Sequence, residues 1–114
     1  MPDSQYKIAS RASHQLLAVL QSHIGSGRGI TAHALAATLC MQERQVRHQI
    51  TDLREDGIAV CGTPQHGYYI AETAEELQAT CDFLRGRALH SLMLESRLRK
   101  VSLNELLGQM RLNT

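Results

Sequence analysis

Two arginines, a glutamine and a histidine crowd into five consecutive positions of this chain: Arg44, Gln45, Arg47 and His48. An Arg guanidinium matches the two acceptors on the major-groove edge of guanine, and a Gln amide matches the donor and acceptor of adenine. Chemistry of that kind needs its groups held on one face of a rigid element. The spacing supplies such an element. Val46, Ile50 and Leu53 recur at i, i+4 and i+7, so a helix turns all three to one side. Arg44, His48, Thr51 and Glu55 then lie nearly opposite, with Gln45 and Arg47 on the flanks. A surface helix that meets only water shows the same pattern, so this face alone leaves both readings open.

Other chemistries find little support. His14, His23, His33, His48, His66 and His90 are scattered, and neither C-x-x-C nor H-E-x-x-H spacing occurs, so no metal is expected. The run Gly25-Ser26-Gly27-Arg28-Gly29 lacks the Lys-Ser/Thr ending of a phosphate-binding loop and reads as a turn. Asp52, Glu55 and Asp56 neighbour one another on one helix without a cleft partner. The expectation is a protein without catalytic residues or cofactor, and not an enzyme.

The elements that must position Arg44 to His48 follow from the same periodicities. Ser10 or Ser13 caps a first helix to about His23, with Leu16, Leu17, Leu20 and Ile24 facing inward. The glycines at 25, 27 and 29 end it. Ile30 is placed for a single-residue strand contact. Thr31 caps a second helix carrying Leu35, Ala36 and Leu39. Cys40-Met41-Gln42 is too short for anything but a sharp corner. The third helix runs from Gln42 or Glu43 to Asp56 and stops at Gly57, a residue suited to a left-handed cap. Residues 58–61 and 68–70 are β-prone runs around a six-residue loop, 62–67, that contains Pro64. Thr73 and Glu76 fit a capping box, opening a long helix from Ala74 to about Lys100 that Gly86 kinks or divides. Ser102-Leu103-Asn104-Glu105 repeats that pattern before a last short helix. The fold class is therefore mainly α with a small β-hairpin (α+β). Residues 1–12 form an arm, 13–71 a domain, and 72–114 a helical extension.

The pattern L-A-x-x-L-x-M-x-x-x-x-V-x-x-x-I-x-x-L over residues 35–53 resembles a helix-turn-helix. The glycine-bearing hairpin after it, G-I-A-V-C-G-T-P-Q-H-G-Y-Y-I, makes the whole resemble a winged helix-turn-helix. The likeness is to the N-terminal domain of biotin-operon repressors and to small phage or prophage helix-turn-helix proteins. It implies that Arg44, Gln45, Arg47 and His48, supported by Thr51, read base edges in the major groove. It also implies backbone or minor-groove contacts from Arg28, Thr31, Gln42, Arg54 and the hairpin tip, Gln65 and His66. Two positions depart from the family pattern: Cys40 stands where Gly is usual in the turn, and Gln42 where Ser or Thr caps the recognition helix. The tip lacks Lys and Arg, and Asp52, Glu55 and Asp56 would repel phosphate, so only the first two turns of the helix would approach a duplex.

Size and charge narrow the class further. At 114 residues there is room for one domain and an appendage. Twelve basic residues against eleven acidic ones leave +1, so DNA affinity would have to come from the placement of charge and not its total. No apolar run approaches the roughly 20 residues of a membrane span, and the first 13 residues lack a signal-peptide core, so a cytoplasmic protein is expected. Cys40, Cys61 and Cys81 are odd in number and widely spaced, which predicts reduced, mostly buried thiols. The tail carries more leucine than one packing face uses. Leu84, Leu89, Leu92, Met93, Leu94 and Leu98 spread round the long helix and predict pairing of two copies as a homodimer; a fold-back of residues 103–110 over them is the alternative. The expected function is sequence-specific binding of double-stranded DNA by a homodimeric transcriptional regulator. The rivals are a protein–protein module of the same fold and a DNA-binding accessory factor of phage replication or packaging.

Overall fold

The computed structural model describes residues 11–112; of the expected arm 1–12, residues 1–10 and a Ser10 cap lie outside them. Residues 11 and 12 are already helical, and Ser13 lies inside that helix and does not cap it. Helices α1 (Arg11–Leu20), α2 (Ala32–Leu39) and α3 (Glu43–Glu55) are followed by a hairpin of β1 (Val60–Thr63) and β2 (Gly67–Ile70). Then come α4 (Ala74–Arg99) and α5 (Leu103–Leu112). The chain is mainly α with one antiparallel hairpin among the described residues, as its periodicities require.

The core is the sum of the inward stripes. Leu16 and Leu20 of α1 meet Leu35 and Ala36 of α2, Val46, Ile50 and Leu53 of α3, and Val60 of β1, all buried. Each fully buried aliphatic side chain contributes about 1.5–3 kcal/mol relative to exposure, which is why these short helices persist.

The ends of α2 and α3 follow ordinary cap chemistry. Thr31 Oγ1 accepts from the Ala34 N–H at 3.1 Å and opens α2. Cys40 closes it in the left-handed region, φ 54°, and the Met41 N–H donates to the Ala36 carbonyl. At the far end of α3, Ile58 N–H donates to the Leu53 carbonyl and Gly57 N–H to that of Arg54, a Schellman pair around Gly57 at φ 84°.

Three expectations about the boundaries are corrected. α1 stops at Leu20, short of His23, and Ile24 is not on its inner face. Instead His23 and Gly25 exchange backbone hydrogen bonds with Ile70, pairing Ile24 beside β2 and leaving it exposed. Ile30 pairs with Tyr68 as expected, so β2 pins both ends of the 25–29 loop. That loop lies so close to the hairpin that a Cβ on Gly29 would run into the His66 carbonyl. Second, the hairpin loop is only residues 64–66. The ladder continues through Gly62↔Tyr68 and Thr63↔Gly67 until Pro64, which has no N–H to donate. Third, α4 runs unbroken through Gly86 for 26 residues. One glycine costs about 1 kcal/mol against Ala, which does not by itself end a long helix. Lys100 ends it at φ 57°, where the Val101 N–H reaches the Ser96 carbonyl.

The chain divides into two compact units between Thr80 and Cys81, inside α4 and not at the expected boundary of 71/72. The first turns of α4 belong to the N-terminal unit because hydrogen bonds hold them there. Gly62 N–H donates to Thr80 Oγ1 at 3.3 Å, and Ser26 N–H donates to Glu76 Oε2 at 2.7 Å. In the C-terminal unit Ser102 Oγ accepts from the Glu105 N–H and opens α5, and Leu106 is buried. The thiols were expected to be mostly buried, yet only Cys61 is; Cys40 and Cys81 are exposed. No helix among the described residues is long and apolar enough to cross a membrane.

Candidate nucleic-acid interface

α3 divides sharply into two sides. Val46, Ile50 and Leu53 are buried, while Arg44, Gln45, Arg47, His48 and Thr51 are all exposed. Core packing therefore fixes the rotation of the helix, and the five residues expected to read bases share the open side.

Their hydrogen bonds rank them. Gln42 caps α3, and Gln45 Oε1 accepts from the Gln42 N–H at 2.9 Å, the reach-back half of a capping box. The amide oxygen that would read adenine is thus engaged at the helix start. Arg47 lies 3.4 Å from Glu43 Oε1, one turn earlier, and the other Glu43 oxygen lies 3.2 Å from His33 Nδ1. His48 approaches Asp52 at 3.8 Å. Thr51 donates to the Arg47 carbonyl, the usual local bond of a mid-helix threonine. Arg44 is exposed, and no ion pair among the described residues involves it. Gln42, Arg44, Gln45 and His48 line one shallow depression together with Gln49.

Two residues there went unnoticed in the sequence. Glu43 partly neutralises Arg47, and its E-x-x-x-R spacing is the visible signal. Gln49 has its Oε1 buried without a hydrogen-bond partner among the described residues. Only packing reveals that, because by periodicity Gln49 sits at the border of the two sides. The acidic end of α3 is also milder than its letters imply. Asp52 is buried, so Glu55 and Asp56 alone present carboxylates at the surface there.

The expected backbone-contacting residues do not behave as a set. Arg54 is half-buried and donates through Nε to the Val60 carbonyl at 2.8 Å, tying α3 to β1. Its Nε therefore braces α3 against β1. Thr31 spends its hydroxyl on capping α2. Arg28 is exposed beside the glycine loop, where its carbonyl accepts from His23 Nδ1 at 2.7 Å. Gln65 and His66 are exposed at the hairpin tip, and the His66 ring stands edge-on to Tyr69 with centroids 6.4 Å apart.

Beside the glycine loop, Glu76 accepts backbone N–H bonds from Ser26, Glu72 and Thr73. Those of Ser26 and Glu72 do most to hold its carboxyl down, to about 2. The residues expected to pair two copies are largely open: Leu84, Leu89, Met93, Leu94 and Leu98 are exposed, Leu98 at 84%, while Leu92 is half-buried. Among the described residues no cluster of His, Cys, Asp or Glu is arranged to hold a metal ion. Comparison with protein families, with curated proteins and with solved structures yields no match.

Proposed function

We propose that this chain is a cytoplasmic, winged helix-turn-helix DNA-binding protein that acts as a homodimeric transcriptional regulator and reads the major groove through α3. One observation carries the reading. In its first two turns α3 holds Arg44 and His48 opposite the core and Arg47 on the flank, all exposed, on a helix whose rotation buried aliphatics fix. Arg44 is the principal reader, since its guanidinium is uncommitted to any ion pair among the described residues. Arg47 joins once Glu43 is outcompeted by a guanine edge. Gln45 contributes only by giving up its cap on Gln42. The exposed leucines of the second half of α4 serve pairing, which would set two such helices on half-sites about 34 Å apart.

A protein-binding module of the same fold is the second reading. It is favoured by the three-residue hairpin tip without a cation and by the Glu43–Arg47 pair. Selection of bound sequences from a random duplex pool separates the two. The expected outcome is an inverted repeat, to which Arg44→Ala binds more weakly by about 1–3 kcal/mol and with relaxed preference at one base pair. A pool that yields no enriched sequence at low salt refutes the DNA reading.

A further inference from the structure

The charge of this protein is divided unequally between its two units. Residues 1–80 carry six basic and eight acidic side chains, a net of −2, whereas residues 81–114 carry six basic and three acidic ones, a net of +3. The acids of the first unit include Glu72, Glu75 and Glu76 at the start of α4 and Glu55 and Asp56 at the end of α3. Its hairpin tip has no cation, Arg54 is engaged with Val60, and Arg47 is paired with Glu43. Affinity for duplex DNA arises largely from neutralised phosphates and the counterions they release. The unit that holds the reading helix has few cations left for that task.

The second unit has them. Arg85, Arg97 and Lys100 are exposed on α4 and at its end. Arg99 is held by the Glu95 carboxylate at 2.7 Å, and the Arg87 guanidinium lies over the Phe83 ring at 5.9 Å. Arg97 and Lys100 sit in the last turn and at the cap, where the helix carbonyls are negative, so the helix stabilises the cations it displays. Five of the six basic residues in this unit are arginines, the side chain whose planar fork suits phosphate oxygens.

We infer that the C-terminal unit is the phosphate-binding surface of the protein: Arg85, Arg97 and Lys100 hold the backbone of duplex DNA without regard to sequence, while α3 supplies the discrimination. The inference rests on the DNA-binding reading and divides its labour between the two units. The partner is a duplex backbone; an acidic protein surface is the competing occupant.

The test uses the full chain carrying Arg85→Gln, Arg97→Gln and Lys100→Gln together. Its affinity is measured from 50 to 200 mM salt on the selected duplex and on an unrelated one. All three positions are exposed, and an unchanged thermal midpoint certifies the fold. The expected result is a slope of log affinity against log salt lower by about five, since a dimer loses three phosphate contacts from each copy and each removes about 0.9. Affinity falls tenfold or more on both duplexes at low salt, and their ratio stays unchanged. Arg85→Lys with Arg97→Lys should restore the slope. An unchanged slope, with Arg44→Ala still weakening the selected duplex, overturns this inference and leaves the DNA reading standing. A slope that falls on the selected duplex alone also overturns it, because the tail would then read sequence. Wild-type chain that retains neither duplex refutes both claims.

Discussion

α3 and the second half of α4 both carry aliphatic residues at helical spacing, yet they end in opposite environments. In α3 the stripe of Val46, Ile50 and Leu53 is narrow, and α1, α2 and β1 close over it. In α4 beyond Thr80, Leu84, Leu89, Met93, Leu94 and Leu98 are spread around the helix, so no single packed neighbour could cover them all. The burial within that unit is slight, with Ser96 and Leu106 inside. A stripe says which side of a helix is apolar. Whether that side is dry depends on how many elements the chain can bring to it.

Substitutions sharpen the contrast, beginning with the largest effect. Leu53→Ala removes a side chain with no exposed surface and should cost about 2–5 kcal/mol, read as a lowered urea midpoint. Leu98→Ala on the other helix should shift that midpoint by under about 0.5 kcal/mol. Equal losses would erase the distinction. The same Leu98 change, combined with Leu94→Glu, should lower the mass seen by light scattering if these residues join two copies; a mass that equals one chain for the wild type sinks the pairing.

Arg54→Ala comes next. It leaves the Val60 carbonyl without its donor, so about 1.5 kcal/mol of stability should be lost, with hydrogen exchange in β1 rising before that in α2. A stable variant with weakened, salt-dependent DNA affinity would show that Arg54 acts on phosphate and not as a brace.

The smallest effect concerns Glu76, whose carboxyl is held below its ordinary 4.5, at about 2, chiefly by the N–H groups of Ser26 and Glu72. A lowered folded-state value stabilises the fold at pH above the ordinary value, and the stabilisation is lost as pH falls from about 4.5 toward about 2. Glu76→Gln should therefore lower the thermal midpoint slightly at pH 7 and leave it near the wild-type value at pH 2. Because water screens this carboxylate, the shift is expected to be small, and an equal offset at both pH values would show that the anion is irrelevant.

Much of the architecture was legible from letters. Thr31, Thr73 and Ser102 announce their helices because a short hydroxyl side chain followed by the right spacing closes on a backbone N–H. Gly57 marks a left-handed stop, and Cys40 occupies the same region although it pays a Cβ for doing so. The hairpin loop and the end of α1 were misjudged for a common reason. Both depend on backbone partners on β2 that lie 45 or more residues from Ile24 and several from Gly62, and pairing across such distances leaves no local mark.

The candidate site divides along the same line. Periodicity alone placed Arg44 and His48 opposite the apolar stripe and Arg47 on its flank, because 3.6 residues per turn leaves little freedom once Val46, Ile50 and Leu53 point inward. Only the folded chain decided that Gln45 bends back to its own helix start, that Arg54 braces the hairpin and that Asp52 is hidden. Those outcomes turn on which donor finds which acceptor within about 3 Å, and long polar side chains have several choices until neighbouring elements remove all but one.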